Sequence, residues 1–301
     1  MSFTSEVKEE VTKLDLDNAD KISELSGIMQ NNYNEIKVQT ESNSVARRVY
    51  SLIKDLFNVS AKVTLRRGYN YNKKILYIVE VLENVDGILK SLGIKNDVPE
   101  EFIWADEDLI RAYLRGVFLT SASINDPKTS RYHLEFNLSD LKYAQFIMML
   151  LNKFNLNSKL LHRDNHYMVY IKGASEIGDF LRIIGAVKAV LYYEDIRIYR
   201  DHKNMTNRLN NCEQANVDRI IETALSQVND INLIKEESGL DVLTDKEKEA
   251  AIYRLKYKEA SLTELSEIIS IETGNKTVKS SLYYRFKKIK KMADNIREKS
   301  N

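Results

Sequence analysis

An α+β body made of two pseudo-symmetric copies of one unit, followed by an all-α helix-turn-helix domain, is the fold class that the 301-residue sequence predicts. Three observations carry it. Short motifs recur along the first part of the chain. Leu25-Ser-Gly27-Ile-Met29 returns as Leu114-Arg-Gly116-Val-Phe118 at an offset of 89, and Phe57-Asn-Val-Ser-Ala-Lys62 as Phe154-Asn-Leu-Asn-Ser-Lys159 at an offset of 97. Helical and alternating apolar patterns succeed one another within the second copy, which marks mixed secondary structure. The last 26 residues hold nine Lys or Arg against two Asp or Glu, a local charge of +7 in a chain whose formal net charge is +1. That basic end is patterned as a helix, because Val278, Leu282, Phe286 and Ile289 make one apolar stripe.

The composition narrows the class. At 43% hydrophobic and 30% charged the chain is globular, and its length allows two or three domains with their own cores. No apolar run approaches the roughly 20 residues that span a bilayer, so no membrane partner is expected. The acidic N-terminus is unlike a signal peptide, which predicts a cytoplasmic protein, held on the nucleoid if it binds DNA. One cysteine, Cys212, excludes an internal disulfide and a thiolate cluster. No Ser/His/Asp set, glycine-rich phosphate loop or Cys/His cluster occurs, so neither a cofactor nor a metal is expected. His162 and His166 flank a hairpin turn rather than share a helix face.

The body is read as residues 1–203, with repeats at about 17–94 and 106–187. In the second copy Asp106–Leu119 opens a helix with acidic residues, as the macrodipole favours. Arg131–Leu138 alternates like a strand, Leu141–Phe154 is helical, and Lys159–Arg163 with Tyr167–Lys172 form a hairpin through Asp164-Asn165. Eight additional residues around Ser123–Ser130 predict that copy one lacks part of a hairpin. Gly93 and Gly185 are placed inside short apolar helices, Ile88–Ile94 and Ile177–Ala186. A glycine inside a helix costs about 1 kcal/mol; its recurrence at Gly27 and Gly116 predicts two helices that cross closely.

Residues 204–239 are read as a linker and an amphipathic helix. Five asparagines in 204–216 suit a polar connection, with a DNA-backbone contact through Asn207 and Arg208 as the alternative. Val217, Ile220, Ile221, Ala224, Leu225 and Val228 then share a face, and Gly239 marks a helix end. In residues 240–301, Thr244 with Glu247 and Ser261 with Glu264 are capping-box pairs that start two helices. A turn from Ser270 to Lys276, longer than the usual three or four residues, leads to Thr277, a candidate cap for the basic helix. Ser280, Tyr283, Tyr284, Lys287 and Lys291 face away from the apolar stripe, where hydroxyls and amines suit phosphates and base edges. The candidate DNA-binding residues are Thr277, Lys279, Ser280, Tyr283, Tyr284, Arg285, Lys287, Lys288 and Lys291. Arg285, at the stripe's edge, suits an intradomain ion pair as well as DNA. Arg66, Arg67, Lys73 and Lys74 form a basic hairpin tip, a candidate auxiliary DNA contact.

The repeated Leu-x-Gly-apolar-apolar helix opening an α+β unit resembles the LAGLIDADG homing-endonuclease fold. That resemblance implies two motif helices at a pseudo-dyad, each ending in a metal-holding acid. The eighth motif position here is Asn32 in copy one and Ser121 in copy two. A hard divalent cation needs charged oxygen ligands, so the catalytic positions are degenerate and nuclease activity is not expected. Glu35 and Asp126 lie beyond the helix ends.

Longer blocks are similar to the WhiA family of sporulation and cell-division regulators. They are Arg111-Ala-Tyr-Leu-Arg115-Gly116-Val-Phe-Leu with Ser123-Ile-Asn125-Asp126-Pro127, then Phe180-Leu-Arg182-Ile-Ile-Gly185-Ala186 running on to Glu194-Asp195, and Asn207-Arg208-Leu-Asn-Asn211-Cys212-Glu213-Gln-Ala215-Asn216. The resemblance covers essentially the whole chain. It implies a degenerate LAGLIDADG-like domain without nuclease activity, joined to a helix-turn-helix that binds promoter duplexes, with a protein partner in transcription compatible with that role. Lys279, Ser280 and Arg285 match the family's Lys-Ser…Arg pattern, while Tyr284 stands where histidine is expected. Thr277–Ile289 also resembles the promoter-reading helix of sigma factors. Two other readings stay open: a homing endonuclease with residual metal-dependent cleavage, and a ligand-sensing or protein-docking body that controls the helix-turn-helix.

Overall fold

In the computed structural model, which describes residues 2–32, 35–67, 75–95, 97–129 and 131–300, the chain divides into two units between Asp201 and His202. The first unit begins with α1 (Phe3–Val11). Copy one then runs α2 (Asn18–Met29), β1 (Lys37–Thr40), α3 (Asn43–Phe57), β2 (Lys62–Arg67), β3 (Ile75–Glu80) and α4 (Val85–Ser91). Copy two runs α5 (Glu107–Ser121), β4 (Ala122–Ile124), β5 (Leu134–Leu138), α6 (Leu141–Lys153), β6 (Lys159–Arg163), β7 (His166–Ile171) and α7 (Ala174–Ile183). The sheets are antiparallel, with strand orders β1-β3-β2 and β4-β5-β7-β6. β1 and β5 hold the same place beside their long partner, so β4 is the strand that copy one lacks among the described residues. This is the hairpin difference that the eight additional residues predict.

The motif helices α2 and α5 pack along each other at the centre of the body. A methyl group built on Gly27 would overlap the Tyr113 carbonyl oxygen, and one on Gly116 would overlap the Glu24 carbonyl oxygen. Each backbone therefore lies against the other, and only a residue without Cβ fits. Both helices start on an aspartate cap: Asp17 accepts from the Asp20 N–H and Asp106 from the Leu109 N–H. Glu24 is fully buried at the crossing and accepts from Arg48 Nε at 2.8 Å and Arg115 Nε at 2.7 Å. One carboxylate thus ties α2 to α3 and to α5. Breaking such a buried set from one side leaves an uncompensated charge, which is costly.

Gly93 and Gly185 are not inside helices. They follow the ends of α4 and α7 at φ +58 and +80, where the chain needs a left-handed residue to stop the helix. The N–H of Ile94 donates to the Leu89 carbonyl and that of Ala186 to the Leu181 carbonyl, satisfying the last open acceptors. An apolar stretch reads the same on either side of such a stop, which is why the pattern ran through it.

α8 (Val187–Glu237) begins in the body, where Glu10 of α1 accepts from the N–H groups of Lys188 and Ala189 at 2.6 and 3.0 Å. Residues 204–216, expected as a polar connection, are helical within α8, and residues 201–220 are exposed on every side. Solvated asparagines lower helix propensity by only tenths of a kcal/mol each, and neither Gly nor Pro interrupts the run. The buried face of its second half is Ala224, Val228, Ile231 and Ile234; Val217, Ile220 and Leu225, predicted to share it, are exposed. After α8 come α9 (Asp245–Lys256), α10 (Leu262–Thr273) and α11 (Lys279–Ser300).

Candidate nucleic-acid interface

The second unit is built on one apolar cluster. Ile231 and Ile234 of α8, Ala250 and Ala251 of α9, Leu265 and Ile269 of α10, and Leu282, Phe286, Ile289 and Ala293 of α11 are all buried together. The core that holds α11 therefore starts upstream of residue 240. Val278 departs from the predicted stripe: it precedes α11 and is 47% exposed. Its carbonyl accepts the first helical bond, from Leu282 N–H, so the cap position belongs to Val278 rather than Thr277. The Thr277 hydroxyl instead faces the Asn275 carbonyl at 3.5 Å.

Both capping boxes form. Ser261 Oγ accepts from the Glu264 N–H, while Glu264 accepts from the Ser261 N–H at 2.7 Å. Glu247 closes the same loop onto Thr244 at the start of α9. The turn between α10 and α11 is shorter than expected, because α10 continues to Thr273 and stops at Gly274, whose φ is +71. Ser270 Oγ locks that turn by accepting from the Thr277 N–H at 2.9 Å while donating to the Ser266 carbonyl at 2.7 Å.

Lys279, Ser280, Tyr283, Tyr284, Lys287, Lys290 and Lys291 of α11 are exposed; Ser280, Tyr284, Lys287 and Lys291 lie opposite Leu282, Phe286 and Ile289, and Lys279, Tyr283 and Lys290 flank that stripe. The rings of Tyr283 and Tyr284 meet edge to face with centroids 5.8 Å apart. With Leu262 and Val278 they line a shallow hollow at the start of α11. Among the described residues, Lys279, Lys287, Lys290 and Lys291 have no carboxylate within ion-pair distance. Arg285 is different. It donates to Glu249 of α9 at 2.9 Å and is largely covered, so the ion pair is what the fold does with it. Lys288 lies 3.5 Å from Glu247 but stays exposed. Burial works to raise the Glu247 carboxyl, but the Thr244 N–H and hydroxyl together with Lys288 outweigh it and hold it below its ordinary value.

Arg254 is the residue that pattern reading missed. It is 1% exposed, and its guanidinium donates to Gln227 Oε1 at 3.0 Å and to the Tyr257 and Ala260 carbonyls. It also lies over the Phe286 ring, 5.4 Å from the centroid, and burial pushes its pKa down. A charge satisfied by carbonyls and a ring fixes α8, the α9–α10 connection and α11 against one another. No sequence signal separates this arginine from a surface one.

Comparison with known proteins places these elements in a family. Three family models match consecutive stretches: the WhiA N-terminal LAGLIDADG-like domain at residues 23–95, the WhiA LAGLIDADG-like domain at 110–203 and the WhiA C-terminal HTH domain at 206–293. A "Probable cell division protein WhiA" from Staphylococcus haemolyticus is 40% identical over 99% of this chain and 98% of its own length. The chain belongs to the WhiA family. A WhiA relative from Pediococcus pentosaceus, of the same description, is 38% identical over 99% of this chain and 100% of its own length. The crystal structure of full-length WhiA from Thermatoga maritima superposes with a TM-score of 0.58 at 27% identity, covering 98% of this chain and 99% of that one.

In this WhiA-family chain Asn32 and Ser121, the eighth positions of the two motifs, sit at the ends of the crossing helices. Asn32 closes the short 3-10 turn Gln30–Asn32 after α2, and Ser121 ends α5 with its hydroxyl 3.4 Å from Thr120 Oγ1. The nearby acids are occupied: Glu35 faces Lys37 at 3.7 Å, and Asp126 accepts from the Lys128 N–H at 2.8 Å. Among the described residues no group of three His, Cys, Asp or Glu is placed to hold a metal ion. Nor is any described helix long and apolar enough to cross a membrane. Arg66 and Arg67 are exposed at the end of the edge strand β2; Lys73 and Lys74 lie outside the described residues. In the second sheet the edge strand β6 exposes Arg163 in the place of Arg66, and Lys159 at the opposite end of the strand in the place of Lys62.

Proposed function

We propose that this chain is a sequence-specific DNA-binding regulator of transcription that reads duplex promoter DNA with α11 and does not cleave it. The observation that carries the reading is the two-sided α11: one side locked in the core, the other offering unpaired lysines, a serine hydroxyl and two tyrosines. A helix held in this way keeps its outer groups in fixed register, as major-groove reading requires. In this reading Lys279, Lys287, Lys290 and Lys291 neutralise phosphates, and Ser280, Tyr283 and Tyr284 meet base edges and sugar. Thr277 contributes backbone geometry at the turn. Arg285 positions the helix through Glu249, and Lys288 joins the phosphate contacts when it leaves Glu247. Arg66 and Arg67 add auxiliary contacts from the body.

The WhiA relatives, named as probable cell division proteins, support a link to division and, by family resemblance, sporulation. A protein partner in transcription and a place on the nucleoid within the cytoplasm belong to the same proposal. An amide and a hydroxyl at the motif ends favour binding over cleavage, since neither replaces a charged metal ligand. Chromatin immunoprecipitation with the full chain tests the reading. Enrichment at a limited set of promoters sharing a sequence element is expected, and uniform coverage of the genome overturns it.

A further inference from the structure

A second site, independent of the DNA-binding reading, lies in the body. α1, the β1–α3 connection and the end of α5 enclose an open cavity of ≈ 1190 Å³. Its lining is polar in a particular way. Lys8 of α1, Lys13 just past its end, and Arg47 and Arg48 of α3 line it together with two carboxylates, Glu9 and Glu41. Thr4, Thr12, Thr40, Ser51 and Thr120 add hydroxyls around the walls.

Two of the four cations are already used. Lys13 is bonded to Glu9 at 2.7 Å, and Arg48 to Glu24 at 2.8 Å. The side chains of Lys8 and Arg47 have no hydrogen-bond or carboxylate partner among the described residues. Lys8 is half-buried with its ammonium over the Phe118 ring, 5.6 Å from the centroid, and burial lowers its pKa to about 8. An ammonium deprived of water and given no anion is in an unfavourable place until one arrives. The start of α3 opens on the same cavity through Ser42, Asn43 and Ser44, with no acidic side chain in its first turn. Ser42 Oγ already takes the Val45 N–H, which leaves the N–H groups of Asn43 and Ser44 to favour a negative group there.

We propose that this cavity binds a small phosphorylated metabolite that carries hydroxyl groups. Lys8, Arg47 and the start of α3 hold the phosphate, and the threonine and serine hydroxyls hold the polyol part. Arginine grips phosphate through paired N–H donors, while the half-buried lysine adds a point charge. At ≈ 1190 Å³ the open cavity has room to spare for a sugar phosphate or mononucleotide.

Calorimetry on the full chain with glucose 6-phosphate, ribose 5-phosphate and AMP, and with glucose and inorganic phosphate, tests it. At least one phosphate ester is expected to bind, more tightly than inorganic phosphate and with glucose silent. Arg47→Gln, an exposed change that leaves the core intact, weakens that binding about tenfold or more, since charge-assisted bonds are lost. Lys8→Met acts in the same direction, whereas Lys54→Gln at the far end of α3 leaves affinity unchanged. Thermal melts of all three variants confirm folding. The proposal falls if none of the three esters binds at millimolar concentration. It also falls if binding ignores both Arg47→Gln and Lys8→Met. A short random duplex that displaces the ester in proportion to its own binding marks the cavity as a DNA-backbone contact and overturns it too.

Discussion

Replacing Lys287 by alanine tests whether α11 reads DNA or only attracts it. Lys287 is exposed beside the buried Phe286 and has no carboxylate partner among the described residues, so its removal leaves the core untouched. The comparison is Lys299→Ala, which removes an equal charge from the last turn, beyond the packed Ala293. Each neutralised phosphate contributes about −0.9 to the slope of log K against log salt. Contacts from Lys279, Lys287, Lys290 and Lys291 then give about −3.6, and Lys288 takes the slope to about −4.5. Lys287→Ala lowers the magnitude by about 0.9 on any duplex. If the amine reaches a base edge, it costs a further 1–3 kcal/mol or so on a selected site and nothing extra on random sequence. Lys299→Ala costs little, and equally on both. Fluorescence anisotropy titrations of the full chain at several salt concentrations, on a selected and a random duplex, separate the terms. Identical behaviour of the two variants on both duplexes would refute a reading face on α11.

Three further outcomes follow from the packing. Leu282→Ala opens a cavity in the fully buried core under α11 and costs roughly 2–5 kcal/mol; circular dichroism melts should show a lower Tm for the second unit, with DNA binding lost as it unfolds. Gly116→Ala sets a methyl group into the Glu24 carbonyl and destabilises the body by about 1–3 kcal/mol or more, read as a lower denaturation midpoint with α11 unaffected. Incubation of the full chain with plasmid and Mg²⁺ or Mn²⁺ is expected to leave the DNA intact; nicking that disappears in an Asn32→Ala, Ser121→Ala double variant would restore the nuclease reading.

Much of the fold was legible because it is written in short-range patterns. The capping boxes at Thr244 and Ser261 and the core positions Leu282, Phe286 and Ile289 follow from residues within a few positions of one another, and the duplication from short motifs that return 89 and 97 positions on. Even the close crossing of α2 and α5 was readable, since a helix tolerates an interior glycine when another backbone needs the space. Where two conformations share one pattern, the reading slipped. Gly93 and Gly185 lie past their helices because a left-handed stop is invisible to apolar periodicity. The asparagine-rich stretch 204–216 stayed helical because polarity alone does not break a helix.

The sequence by itself determined the duplicated α+β unit, the uncharged residues Asn32 and Ser121 at the ends of the motif helices and the basic outer side of α11, since each depends on residue type and spacing. Only the tertiary structure decided which charges remain free. Arg285 meets Glu249 across 36 positions, Arg254 reaches Gln227 across 27, and Glu24 joins Arg115 across 91. The same holds for the cavity beside Lys8, whose walls come from α1, α3 and the end of α5. A side chain's partners depend on how each helix is turned about its axis and on which neighbour it packs. That rotation is set by the whole core at once, so no window of sequence contains it.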